Sequence, residues 1–150
     1  MGLMSLPYSG GFSQITSLGA GALAAALVHN KTLLTLGLNG NAIGDAGAIA
    51  LAEALTFNQT LAGLFVDENN IGDRGAAAFG VALGRNDALT ELYLGDNGIT
   101  DIGGRALVSG LFANRTLSEL YLCRNKIGGG AFADIVAVWG TTRGALYLTD

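Results

Sequence analysis

The chain has 150 residues, of which 50% are hydrophobic and only 13% charged, so it is long enough for one core and too apolar to be disordered. Its mean hydropathy of +0.43 suggests a membrane protein, but the most apolar stretches, such as 19–28, are much shorter than a membrane span and predict none. The net charge of −4 argues against nucleic-acid binding, which requires Lys and Arg side chains that neutralise phosphates.

Residues 1–29 are predicted to form a degenerate first repeat. Leu3, Leu6 and Tyr8 resemble its strand, and Pro7 within that strand is tolerated only at the edge of a sheet. Ser17 is predicted to cap the helix that follows. The buried face of that helix is predicted to contain four apolar residues, Ala20, Leu23, Ala24 and Leu27.

The next segments align without gaps at intervals of 28 residues and define repeats 30–57, 58–85, 86–113 and 114–139. Each opens with Leu-x-x-Leu-x-Leu-x-x-Asn, with Val66 replacing one leucine, and an isoleucine follows the asparagine by two residues. Alternate residues of a strand face the same side, so we expect the leucines to face the core. The motif asparagines are predicted to satisfy backbone groups at the turn after each strand: Asn41, Asn69, Asn97 and Asn125.

The second half of each repeat has apolar or small residues at i, i+3, i+4 and i+7, which is typical of one face of a helix. In the fourth repeat this set is Phe132, Ile135, Val136 and Trp139. Acidic residues precede the first three of these helices and are predicted to be their N-caps: Asp45, Asp73 and Asp101. Gly129 occupies the same position in the fourth repeat.

Residues 140–150 are predicted to be an incomplete C-terminal repeat whose strand begins with Leu146 and Leu148. The whole chain, 1–150, then forms a single domain of about six parallel strands that alternate with five helices. No helix is predicted to cover the last strand. We therefore expect this end to self-associate or to continue in a longer protein.

The 28-residue period, the strand motif and the helix start Gly-Asp-x-Gly-Ala-x-Ala-Leu-Ala at 44–52 resemble the ribonuclease-inhibitor class of leucine-rich repeats. This resemblance implies an α/β fold, a right-handed solenoid curved like a horseshoe, with parallel strands on the concave face and helices on the convex face. The class includes ribonuclease inhibitor, the repeat domains of NOD-like receptors and the Ran GTPase-activating protein. The resemblance therefore does not choose among these functions.

No catalytic, metal or cofactor site is predicted. His29 is the only histidine, and no Ser-His-Asp, Cys-His or metal-ligand set can be built around it. Cys123 is the only cysteine, which excludes an internal disulfide and, with no signal peptide at the start, favours a cytoplasmic protein. Cys123 is predicted at an exposed strand position without an adjacent base, and a reactive thiol is the alternative interpretation.

The candidate site is the face of the sheet that points away from the helices, where equivalent strand residues form rows about 4.8 Å apart. One row is an aromatic strip: Phe65, Tyr93, Tyr121 and Tyr147. Charged residues flank it: Glu91 and Glu119 on one side, and Asp67, Glu68, Asp96 and Arg124 on the other. Aromatic anchors within a polar rim are typical of protein interfaces, and carboxylates favour a partner with a basic patch.

The predicted function is a non-catalytic module that binds a protein partner on this aromatic and acidic face. One alternative is that the rings only shield the sheet, since aromatic residues suit strands generally. A second is a regulator of a GTPase, similar to the Ran GTPase-activating protein. A third is a structural or self-associating fragment of a larger repeat protein.

Overall fold

The computed structural model describes residues 2–5, 14–140 and 143–149, in which strands and helices alternate along the chain. The strands are β1 (Gly2–Ser5), β2 (Leu33–Gly37), β3 (Gly63–Phe65), β4 (Glu91–Tyr93), β5 (Glu119–Tyr121) and β6 (Ala145–Tyr147). The helices are α1 (Ser17–His29), α2 (Gly44–Leu55), α3 (Asp73–Leu83), α4 (Asp101–Ala113) and α5 (Gly129–Trp139).

All six strands of the described residues form one parallel sheet in chain order, which confirms the predicted α/β repeat solenoid. From β2 to β6 the register never shifts, and the central leucine of each strand lies beside that of the next strand. In β1 the residue beside Leu36 is Met4. Leu6, Pro7 and Tyr8 lie outside the described residues.

The core lies between the sheet and the helices. The strand leucines Leu36, Leu64, Leu92 and Leu120 are at most 1% exposed, and the isoleucines and the helix faces pack against them. Burying such a side chain stabilises the fold by roughly 1.5–3 kcal/mol. Helices and strands make their main contacts with their neighbours in the stack, so each repeat depends on the next one for its core.

The motif asparagines satisfy backbone groups at the turns after the strands, as predicted, and they also join successive repeats. The Asn69 amide donates hydrogen bonds to the carbonyls of Leu38 and Asp67, both at 2.8 Å. The Asn97 side-chain oxygen in turn accepts a hydrogen bond from the Ile71 N–H at 2.9 Å. Each turn after a strand is therefore bonded to the turns above and below it.

A second asparagine ladder, at the start of each repeat, was not predicted. Asn114 is 2% exposed, and its amide donates to the carbonyls of Leu83 and Asn86 in the preceding repeats. Asn58 and Asn86 make equivalent bonds. Arg143 continues the ladder, since its guanidinium donates to the carbonyls of Leu111 and Asn114, both at 2.5 Å.

The predicted helix caps are wrong. The N-cap positions are occupied by Thr16, Ile43, Gly72, Thr100 and Gly128, whereas Ser17, Asp45, Asp73, Asp101 and Gly129 lie within the first turn of their helices. The aspartate carboxylates do accept backbone N–H groups, but those of the following repeat. The sequence could not show this, because the acceptor and its donors lie about one repeat apart.

One predicted core residue is also wrong. Val136 in α5 is 51% exposed, while Ile135 and Trp139 are buried as expected. Among the described residues, none of the helices combines the length and the apolar character that crossing a membrane requires.

Candidate functional site

The aromatic strip, defined as Phe65, Tyr93, Tyr121 and Tyr147, is a continuous stack of rings. The unshifted register places the four residues side by side on the sheet face opposite the helices. The ring centroids of successive members are 4.7, 5.4 and 5.5 Å apart, and the two central rings are nearly parallel at 23°. These spacings are within the range of favourable aromatic pairs.

The strip is partly open to solvent. Phe65, Tyr93 and Tyr121 are half-buried, and Tyr147 is 43% exposed. Fully covered rings would belong to the core, and these do not. The strip therefore presents aromatic area that is already ordered by ring stacking.

On one side of the strip, Glu119 fixes the orientation of Tyr93. The Tyr93 hydroxyl donates a hydrogen bond to Glu119 Oε1 across neighbouring strands. This hydrogen bond, together with partial burial and the charge of Glu91, raises the pKa of Tyr93 well above its usual value. The ring thus remains a neutral phenol, oriented by a carboxylate.

On the other side, the turns after β2, β3, β4 and β5 enclose a depression of about 240 Å³. Its lining comprises Asn39, Asp67, Glu68, Tyr93, Asp96, Tyr121 and Arg124. Six of the ten residues predicted for the site therefore lie together. Of the other four, Phe65 and Tyr147 extend the strip at its ends, and Glu91 and Glu119 lie beyond its opposite edge.

Asp67 is the half-buried carboxylate of this depression. Its Oδ1 accepts the Gly95 N–H at 2.7 Å, which fixes the carboxylate relative to the next strand. Burial raises the pKa of Asp67 to about 6, against the opposing effect of its backbone hydrogen bonds, and the charges of Asp96 and Glu68 contribute to the rise. The ionised form of Asp67 is therefore destabilised by its surroundings at neutral pH.

Asp96 and Arg124 form an ion pair at the edge of the depression, with Nε and Oδ2 3.0 Å apart. Both residues, and Glu68, have left-handed backbone, with φ of 49°, 56° and 54°. Gly40 occupies the same position in an earlier repeat, with φ of 70°. Glycine adopts this conformation most easily. The left-handed backbone of the three charged residues therefore has a conformational cost.

Two residues, Asn39 in the lining of the depression and Gly95 beside it, were not among the site residues predicted from the sequence. A Cβ at Gly95 would overlap the Tyr121 ring, so the absence of a side chain at Gly95 lets that ring lie over the strand. Asn39 Oδ1 accepts the Asp67 N–H at 3.2 Å. Their repeat spacing was the available signal, since Asn39, Asp67 and Gly95 occupy one row.

The prediction that Cys123 is exposed is wrong. The residue is 2% exposed, and its thiol donates a hydrogen bond to the Thr149 carbonyl, with Sγ and O 3.0 Å apart. The next strand covers the position. Within the described part of the chain, no group of three or more His, Cys, Asp or Glu residues is arranged to hold a metal ion.

Comparison with known proteins agrees with this geometry. The family described as Leucine Rich repeat matches residues 29–52, 57–80 and 86–108. The chain contains leucine-rich repeats of this family. The matched residues contain the β2, β3 and β4 motifs and thus most of the candidate site.

Among solved structures, 68 chains are similar to this chain. One of them is Leiomodin-1 Actin-Binding Site 2 (ABS2), with a TM-score of 0.68 and 23% sequence identity over 79% of this chain and 69% of that chain. At this identity the similarity shows a shared fold alone. No curated protein matches the sequence.

Proposed function

We propose that this leucine-rich repeat protein is a non-enzymatic interaction module that binds a protein partner on the sheet face carrying the aromatic strip. The observation that supports this proposal is the ordered, partly exposed stack of Phe65, Tyr93, Tyr121 and Tyr147 beside a charged depression. As the resemblance to the ribonuclease-inhibitor class implies, we place this face on the concave side of a right-handed solenoid. The proposed location is the cytoplasm.

Preordered rings favour binding. The hot spots of protein interfaces are enriched in Tyr, Trp and Arg, and truncating a hot-spot residue costs about 2 kcal/mol or more. Stacking of Tyr93 on Tyr121 and the hydrogen bond of Tyr93 to Glu119 restrict both rings before a partner arrives. Little side-chain entropy is then lost on association.

The charge on this face favours a basic partner. Five carboxylates border the strip, those of Asp67, Glu68, Glu91, Asp96 and Glu119, and Arg124 is the single cation among the residues predicted for the site. Such an imbalance accelerates encounter with a positively charged surface. Added salt screens this attraction and weakens it. We therefore propose a partner with a basic patch.

The alternative that the rings only shield the sheet explains neither the depression nor the left-handed charged residues. Shielding requires apolar cover, whereas Glu68, Asp96 and Arg124 place charge beside the strip at a conformational cost. The solved repeat structure with a similar fold is named as an actin-binding site, so a protein partner on such a scaffold has a precedent. No specific partner is carried over from it.

Affinity capture with the full chain tests the proposal. The test variant is Tyr93→Ala with Tyr121→Ala, and the matched control is Phe57→Ala with Phe112→Ala, which removes two exposed rings from the helical side. We expect the control to retain the captured proteins and the strip variant to lose at least 90% of them, about a tenfold or larger loss of affinity.

Two controls accompany the capture. Circular dichroism establishes that each variant is folded, and light scattering across concentration separates partner binding from self-association. Capture that survives in the strip variant but not in the helical-side control would place the interface on the helices and overturn the proposal.

A further inference from the structure

The outer face of the helices carries an apolar groove between α2 and α3. Its volume is about 460 Å³, and Ile49, Ala78 and Ala82 are among the residues that line it. Phe57 and Val81 also line it, and they are 67% and 58% exposed. Two large apolar side chains beside an apolar groove are unfavourable in water, so a surface that covers them gains stability from their burial.

Two opposite charges lie at the same groove and do not pair with each other. Glu53 and Arg85 are both exposed and both line it. The ion pairs among the described residues are formed by other side chains. The groove between α4 and α5 differs, because Arg105 and Asp134 line it and pair there, with Nε and Oδ2 3.0 Å apart. The α2–α3 groove thus presents one negative and one positive charge to a partner.

The helical patch, defined as Glu53, Phe57, Val81 and Arg85, is complementary to itself. Glu53 and Val81 occupy the same position in successive repeats, 28 residues apart, as do Phe57 and Arg85. The apolar pair therefore lies on one diagonal of the patch and the charged pair on the other. A twofold axis along the apolar diagonal brings the apolar side chains of two copies together. It also places each Glu53 opposite Arg85 of the other copy.

We propose that the helical patch is the interface of a twofold-symmetric dimer of this chain. The occupant of the α2–α3 groove is the same groove of a second copy. A twofold contact uses one surface twice, so it needs both signs of charge within one patch, and Glu53 and Arg85 supply them. A patch for a basic or an acidic partner would instead carry one sign of charge.

The face of the sheet that carries the aromatic strip is unsuited to a second copy. Five carboxylates border the strip, and Arg124 is the single cation among the residues predicted for that site. Two copies that met there would bring like charges together, which opposes association. The helical patch, by contrast, has one charge of each sign. Self-association is therefore favoured on the helical side.

A dimer through the helices leaves both aromatic strips uncovered. The core separates the helices from the sheet, and the strip lies on the far face of that sheet. The two strips of a dimer then face away from each other, so one dimer binds two partner molecules. This consequence rests on the proposed function, whereas the dimer itself does not.

Sedimentation equilibrium of the full chain, from micromolar to millimolar concentration, tests the dimer. We expect the mass to rise from 15.2 kDa toward twice that value. Arg85→Glu brings two carboxylates together at both charged contacts and should weaken the dimer at least tenfold. Arg115→Glu reverses another exposed arginine, outside the patch, and should leave the dimer unchanged.

The apolar contact is tested in the same way. Phe57→Ala removes a ring that lines the groove and should weaken the dimer at least tenfold. Phe112→Ala removes a similarly exposed ring, at the end of α4 and outside the patch, and should have no effect.

An exchange of charges separates loss of the contact from loss of folding. Glu53→Arg alone should weaken the dimer as Arg85→Glu does. In a mixture of these two variants, every charged contact between unlike chains again joins an arginine to a glutamate. The mixture should therefore form a heterodimer at least tenfold tighter than either variant alone.

A mass of 15.2 kDa at every concentration would overturn the dimer, as would two charge variants that fail to associate when mixed. A dimer that tolerates both Arg85→Glu and Phe57→Ala lies on another surface, such as the last strand of the sheet, and would also overturn it. A monomer whose capture of another protein depends on Phe57 would assign the groove to that protein instead. Capture through Tyr93 and Tyr121 is measured separately, so the proposed function stands if the dimer fails.

Discussion

Thr100 donates two hydrogen bonds to Asp73, one from its N–H to Oδ1 and one from its hydroxyl to Oδ2, both at 2.7 Å. The Gly103 N–H adds a third at 2.9 Å. Asp73 begins α3, whereas Thr100 and Gly103 lie at the start of α4, so the start of α4 is satisfied by the preceding repeat. Asp45 and Asp101 have the same role.

Replacing Asp73 by Ala should therefore destabilise the whole stack. Three hydrogen bonds are lost at the start of α4, including one from a hydroxyl, and the expected cost is about 2 kcal/mol in the free energy of unfolding. Urea denaturation measures it. Asp87→Ala, at an exposed position, is the control, and an equal effect of the two variants would exclude a capping role for Asp73.

A close backbone approach between α3 and α4 predicts a second large effect. A Cβ at Gly110 in α4 would overlap the carbonyl oxygen of Gly80 in α3, which cannot move independently of its helix. Gly110→Ala should cost about 3 kcal/mol or more. Gly129→Ala, where a Cβ meets nothing within 4 Å, should be neutral or slightly stabilising.

Thermal unfolding of the two alanine variants gives the comparison directly. A melting temperature of Gly110→Ala close to that of the parent chain would show that α3 and α4 can separate freely. The interpretation of these glycines as a packing contact would then be wrong.

The second asparagine ladder predicts a third effect. The Asn86 amide donates to the carbonyls of Leu55 and Asn58, each at 2.8 Å, and its oxygen accepts the N–H groups of Ala88 and Leu89. The residue is 1% exposed, so Asn86→Ala leaves buried backbone groups unsatisfied. We expect a loss of about 3–5 kcal/mol in the free energy of unfolding.

Asn70→Gly is the control for that experiment. Asn70 is exposed and has left-handed backbone with φ of 57°, which glycine adopts without cost. Its substitution should change stability by less than about 0.5 kcal/mol. A cost at Asn86 no larger than this would mean that water replaces the ladder bonds.

The sequence predicted the fold because the contacts that define it repeat every 28 residues. Leu64 and Leu92 recur in register, so their burial on one side of the sheet follows from the alternation of a strand. The helix caps could not be predicted in the same way. In the sequence, Asp73 is placed like an N-cap of its own helix. Its carboxylate instead accepts the N–H of Thr100 at the start of the helix in the next repeat.

The site was predicted as rows of residues, and the rows are correct for the strip. The alternation of strand residues could not predict how far each side chain is buried. Alternation predicts Cys123 on the same open face as Tyr121, yet Cys123 is buried while the Tyr121 ring lies over Gly95. The left-handed turn that places Asp96 against Arg124 was also beyond the sequence pattern, because charged residues occupy positions that favour glycine.

The final prediction concerns pH and Asp67, whose pKa is raised from 3.8 to about 6 by burial and by the charges of Asp96 and Glu68. Between these two values the folded chain binds a proton that the unfolded chain has lost. The contribution of Asp67 to stability therefore falls as pH rises from about 4 to 6, and above pH 6 the full penalty is present.

Asp67→Asn removes this titration, so the variant should be more stable than the parent chain at pH 7. At pH 4.5 its gain in stability over the parent chain should be smaller. The shift from 3.8 to about 6 would correspond to roughly 3 kcal/mol for a fully shielded group, and solvent screening of this half-buried one reduces the expected gain to about 1–2 kcal/mol. Urea denaturation at the two pH values measures the difference.

Asp73 supplies a comparison of opposite sign. Burial alone would raise its pKa, but the hydrogen bonds from Thr100 and Gly103 hold that pKa below the usual value. Its stabilising contribution is present above pH 4 and is lost as pH falls through the folded-state value. Asp73→Asn should therefore lower stability at pH 7, while Asp67→Asn raises it. If both variants shifted stability in the same direction, burial and hydrogen bonding would not be the causes that separate these two carboxylates.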